Sequence, residues 1–287
     1  MNLLRLIPLD LEISIGLIVF CVALDAVPAD LLYLARRPFL LVRSLLSMNV
    51  IMPIVAAAIA LMFSLRREIE IALILLAVSP VPPVLPNKQA KAGGNVSYAV
   101  GLLATLALLS IVFVPLSVKL VGRLFGQDLH VPVAPIATVV LKSILMPLVI
   151  GMVVRGIVPA FARRFSGPLS TIGTVLLVLG IVPVFFVAWP AITALVGDGT
   201  LVAIVLFTAV ALVVGHLLGG SAPEERSVLA LSTATRHPGV AMAVASAVTP
   251  DPKPIAAAVL LAVLVSAVVA FPYVKWSARR VHAASTR

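Results

Sequence analysis

Two short runs hold most of the polar chemistry of a chain that is otherwise apolar. The first reads Ser79-Pro80-Val81-Pro82-Pro83-Val84-Leu85-Pro86-Asn87-Lys88-Gln89-Ala90-Lys91. The second reads Ser232-Thr233-Ala234-Thr235-Arg236-His237-Pro238-Gly239. Each lies near the middle of a long hydrophobic segment and sets proline beside positive charge. Proline has no amide hydrogen and breaks a helix, so N–H and C=O groups around it lose their partners. Inside a bilayer that is tolerated only where protein or a water-filled cavity satisfies them. Two such breaks, one in each half of a chain, point to the binding site of a carrier.

The candidate ligand-facing residues are Arg236, His237, Lys88, Gln89, Asn87 and Asn95. Arg236 lies too deep in its segment for easy reach to the headgroups, which is the alternative use of such an arginine. A cation at mid-membrane costs about 2.5–3.5 kcal/mol on insertion scales, so it is seldom there without a role. His237, with an ordinary pKa of about 6.5, offers a proton-coupling group as well as a binding one. Lys88 lines the cavity or faces the cytoplasm through the half-helix end. Asn87 and Asn95 bind ligand or cap freed backbone groups. The hydroxyls of Ser232, Thr233 and Thr235, with backbone carbonyls and Gln89, are the oxygen donors that a sodium site would use.

Other polar residues carry less. Lys142 falls mid-segment and needs a partner, and no acid is evident for it from sequence. His216 is expected to pack by hydrogen bonding rather than relay protons. Asp25 is expected at an interface. His130, His216, His237 and His282 are scattered without metal-ligand spacing, so no metal site is expected. There is no Walker A loop, no His-Glu-x-x-His and no Gly-x-Ser-x-Gly. The chain is therefore expected to be neither an enzyme nor driven by ATP, and to hold no organic cofactor.

The positioning elements are membrane helices. The chain is 62% hydrophobic, against roughly 45–50% for soluble domains, and its mean hydropathy is +1.20. One cysteine, Cys21, excludes an internal disulfide framework. The net charge of +10 is spread over short loops, which excludes nucleic acid as a partner. Apolar runs predict about nine spans, near residues 10–28, 38–63, 70–91 (broken), 96–119, 132–154, 170–188, 199–219, 226–248 (broken) and 254–276. They form a single transmembrane domain over 1–287, with halves at about 1–125 and 126–287. Lys and Arg are denser in the loops that share a side with the tail, so the C-terminus is expected in the cytoplasm and the chain in the inner membrane. The broken spans are third and eighth. One more span before the first would make them fourth and ninth of ten, as in an inverted repeat.

Several stretches carry a family likeness. They are Leu17-Ile18-Val19-Phe20-Cys21-Val22-Ala23-Leu24-Asp25, Pro28-Ala29-Asp30-Leu31, Arg37-Pro38 and Asn49-Val50-Ile51-Met52-Pro53. With the two broken runs, they make the chain resemble the bile acid:sodium symporter family over most of its length. The resemblance implies an all-α polytopic fold with inverted repeats and two broken helices that cross. It implies a core of spans three, four, eight and nine moving against a panel of spans one, two, five and six. Sodium-coupled members carry Ser-Asn in the first broken helix, where Leu85 and Pro86 stand here, with Asn87 and Gln89 as alternative oxygen donors. In the second they carry Glu, Gln and Asn, where Ser232, Arg236 and His237 stand. Related arsenite carriers place a cysteine on a broken helix. Cys21 lies away from both breaks and is not given that role.

These observations lead to a secondary transporter of a small organic anion working by alternating access. Fixed cations stand in for sodium. A conventional sodium-coupled symporter is the alternative within transport, and a non-transporting membrane receptor is the alternative of another class.

Overall fold

A computed structural model of the protein describes residues 7–124 and 131–285, which leaves His130 outside. The chain is all-helical over the described residues. It runs α1 (Ile7–Asp25), a short α2 (Pro28–Leu31), α3 (Pro38–Leu45), α4 (Met52–Met62), α5 (Arg67–Val78), α6 (Leu85–Lys91) and α7 (Val96–Leu124). It continues with α8 (Val133–Val140), α9 (Met146–Ile157), α10 (Pro159–Ala194), α11 (Thr200–Leu218), α12 (Pro223–Ala234), α13 (Pro238–Val248) and α14 (Lys253–Ser285). Six helical stretches among the described residues are long and apolar enough to cross a membrane. They are Pro38–Met62, Val96–Arg123, Val133–Ile157, Pro159–Ala194, Thr200–Leu218 and Lys253–Ala283. α1 and the interrupted pairs α5/α6 and α12/α13 stand outside that set.

Two of the long stretches contain a π-helical turn, Leu46–Ile51 between α3 and α4 and Leu141–Leu145 between α8 and α9. Each directly precedes a Met-Pro pair, Met52-Pro53 and Met146-Pro147. The proline ring crowds the preceding turn and offers it no N–H, and a widened turn relieves both problems.

The helices fall into two packed groups. α1 lies between α9 and α10, where glycines permit close approach. A Cβ at Gly151 would sit 2.6 Å from the Phe20 carbonyl oxygen, and one at Gly173 would sit 3.0 Å from Ile18. The second group is built from α5, α7, α11, α12, α13 and α14 around a large apolar core. The stretch Pro38–Met62 packs on α5 and α11, and its Met48, Met52, Ala56 and Ile59 join that core.

Lys142 does have an acidic neighbour. Its ammonium lies 3.6 Å from the Glu12 carboxylate on α1, with both side chains about half exposed. The partner lies 130 residues upstream and was not evident from sequence. His216 bonds the Tyr273 hydroxyl at 2.8 Å and packs against Trp276, a packing role as expected. Asp25 is exposed and Cys21 is buried in α1.

Candidate functional site

The site is assembled from carbonyls that proline sets free. An α-helix or π-turn would ask residue 53 to donate back to Asn49 or Met48, and Pro53 has no proton to give. The residues three and four beyond Ser79 are Pro82 and Pro83, so the Ser79 carbonyl has no local donor. The Thr233 carbonyl would receive the amide of His237, but that amide turns instead to the carbonyl of Pro80, at 2.9 Å. Three orphan carbonyls from three separate segments thus converge on one place.

Arg236 fills that place. The residue is 5% exposed. Nε donates to the Thr233 carbonyl at 3.1 Å, Nη1 to Ser79 at 3.2 Å and Nη2 to Met48 at 2.9 Å. The planar fork of donors suits several acceptors at once. Arg236 therefore ties the end of α5, the end of α12 and the π-turn before α4. It sits among backbone oxygens, where a small cation would sit. It does not reach for headgroups.

His237 follows at the start of α13 and is 4% exposed. Its Nδ1 accepts from the Gly239 amide at 3.1 Å, so in the neutral ring the proton lies on Nε2. Nε2 is buried and has no partner among the described residues.

Gln89 and Ser232 come together across the two breaks. The Gln89 amide nitrogen donates to Ser232 Oγ at 2.7 Å and to the Val228 carbonyl at 2.9 Å. The Gln89 Oε1 is buried without a partner among the described residues. Thr233 donates to the Leu229 carbonyl and pairs with Ser47 Oγ at 2.8 Å, a tie between α12 and the π-turn. Thr235 is half-buried just outside this cluster.

The remaining candidates lie elsewhere. Lys88 is exposed and does not join the cluster, because α6 turns Gln89 inward and its neighbour outward. Asn87 donates to Ser170 Oγ of α10 at 3.3 Å. Asn95 accepts the Tyr98 amide at 2.8 Å and so caps the start of α7.

Sequence reasoning missed the carbonyls of Met48 and Ser79, which carry no side-chain signal. The prolines that free them were the available clue. It also missed a second polar cluster. Tyr33 donates to Glu225 Oε1 at 2.8 Å, Arg37 pairs with the same carboxylate and lies 4.4 Å over the Tyr33 ring, and Tyr33 stacks on Tyr98. Burial, then the hydrogen bond and charge of Glu225, push the Tyr33 phenol up to about 12.

A helical membrane chain with two interrupted helices meeting at a polar cluster is the architecture of a secondary carrier. Residues 12–195 match the Sodium Bile acid symporter family, and the chain belongs to it. That match takes in the first break and ends before the second. The chain is also similar to the "Uncharacterized sodium-dependent transporter YocS" of Bacillus subtilis (strain 168), 27% identical over 147 residues. The alignment covers 50% of this chain and 44% of that relative, so the chain matches less than half of the relative's length. The family and the apolar helices make this a multi-pass membrane protein of a transporter family.

Proposed function

We propose that this chain carries a small organic anion by alternating access, with Arg236 as a resident cation where relatives recruit sodium. The observation that carries the reading is the guanidinium held by the Thr233, Ser79 and Met48 carbonyls between the two helix breaks. A guanidinium is always charged, so positive potential at the crossing needs no ion from solution. Its hydrogen bonds go to backbone carbonyls, so it attracts an anion through its field and not by direct contact. The direct donor is His237 Nε2–H at the positive end of α13. Lys88 is exposed and stands outside the Arg236 cluster.

The same reading takes α1, α5/α6 and α12/α13 as spans alongside the six apolar stretches, nine in all. It relates the halves as an inverted repeat and places the C-terminus in the cytoplasm at the inner membrane. The moving parts are the α1/α9/α10 group and the group that holds both breaks.

One observation favours a second reading. Gln89 Oε1 is a buried acceptor with no partner among the described residues, beside Ser232, and an oxygen of that kind suits a cation. A sodium-coupled symporter would use it with Ser232, Thr233, Thr235 and nearby carbonyls.

The test is thermal stabilisation of the purified chain by a panel of small organic anions, in sodium and in choline. The first reading expects a ligand whose effect is equal in both salts and is lost in His237→Ala. A ligand that stabilises only in sodium supports the second reading. Equilibrium binding without uptake into proteoliposomes would favour a receptor.

A further inference from the structure

We propose that the ends of α6 and α14 form a binding surface for the phosphate headgroups of anionic phospholipids. Five cations lie there and are exposed: Lys88 and Lys91 on α6, and Lys275, Arg279 and Arg280 on α14. The turn after α6 meets α14. Gly93, in the left-handed region at φ +76°, ends the turn after α6, and a Cβ there would lie 2.9 Å from Val281 of α14.

α14 has 33 residues, a length of about 50 Å against a hydrocarbon core of about 30 Å. Its last turns therefore stand beyond the hydrocarbon. The exposed aromatics Phe271 and Trp276 mark the boundary, the depth at which such rings settle. The Lys275 ammonium lies 4.5 Å over the Phe271 ring and the Arg280 guanidinium 5.3 Å over Trp276. Those contacts hold the charges at headgroup level.

None of these five cations forms an ion pair among the described residues. The ion pairs there are Arg37–Glu225, Arg66–Asp198 and Lys142–Glu12. Glu225, at the start of α12, is taken up by Arg37 and Tyr33. Basic residues at a membrane surface draw anionic lipid, and an aromatic boundary beside them favours a lipid over a soluble acidic partner. Because Lys88 and Lys91 belong to the first broken helix, the headgroup rests on the element that carries Gln89.

The test compares thermal unfolding of the full chain in neutral detergent with added phosphatidylglycerol, phosphatidylcholine or inorganic phosphate. Native mass spectrometry counts retained lipid. Phosphatidylglycerol should raise the transition and stay bound, and the other two should do neither. Lys88→Gln/Lys91→Gln/Arg279→Gln/Arg280→Gln should lose the effect, with affinity falling roughly fivefold per cation removed. Lys275→Gln/Arg279→Gln, a milder change, should lose part of it. Lys119→Gln/Lys253→Gln, away from this surface, should keep it. The proposal is overturned if phosphatidylglycerol has no effect, if it acts equally on the fourfold variant, or if the Lys119/Lys253 pair loses as much.

Discussion

Arg236 differs from a substrate-binding arginine in what it touches. Three of its N–H groups meet carbonyls that have no other donor, so removing it strands three buried acceptors at once. Arg236→Ala should lower unfolding stability by about 3 kcal/mol or more, measured by chemical denaturation in detergent. Arg236→Lys keeps the charge but not the fork, and should fall between wild type and Arg236→Ala. Tyr33 gives a prediction in pH. Its phenol is held up at about 12 against an ordinary 10, so the protonated form is favoured in the fold. The stability it supplies is complete below pH 10 and is lost as pH rises through about 12. A phenolate absorbance titration, wild type minus Tyr33→Phe, should show that midpoint. In Glu225→Gln it should move down, because the carboxylate that raises it is gone. An unmoved midpoint would separate Tyr33 from Glu225.

At the scale of elements, proline placement shapes the site. Pro53→Ala restores an amide that competes for the Met48 carbonyl and takes one acceptor from Arg236. Uptake into proteoliposomes should fall, while the melting temperature should hold or rise. Close packing of α11 on α12 depends on Gly215, where a Cβ would sit 2.5 Å from the Ala230 Cα. Gly215→Ala should cost about 2 kcal/mol by overpacking against backbone, which cannot move aside as a side chain would. Both helix breaks were legible in the sequence, because prolines clustered with charge inside an apolar run cannot continue a regular membrane helix. The π-turns were not, since Pro53 and Pro147 read like the prolines scattered through the other helices. The burial of Arg236 was legible too. Its partners were not, because backbone carbonyls 157 and 188 residues away leave no pattern of residue types. The sequence does not choose between the two places for Lys88, because the turn of α6 decides whether residue 88 or 89 faces inward.

At the scale of the whole molecule, α1, α9 and α10 pack as one group, and the two breaks lie within the other. The tail beyond α14 is expected in the cytoplasm. In a Cys21→Ser background, Arg280→Cys should react with an impermeant maleimide in inside-out vesicles and be protected in spheroplasts. The reverse pattern would invert the topology. The central claim is that Arg236 is the resident cation of the crossing, so its most direct test is ion dependence without any substrate. Thermal unfolding of the purified chain is compared in sodium chloride and in choline chloride at equal ionic strength, for wild type and Arg236→Gln. The account predicts a wild-type transition that is the same in both salts, and a lower Arg236→Gln transition that sodium partly restores. A wild-type chain stabilised by sodium would contradict it, because the carbonyl cage would then be holding an ion from solution.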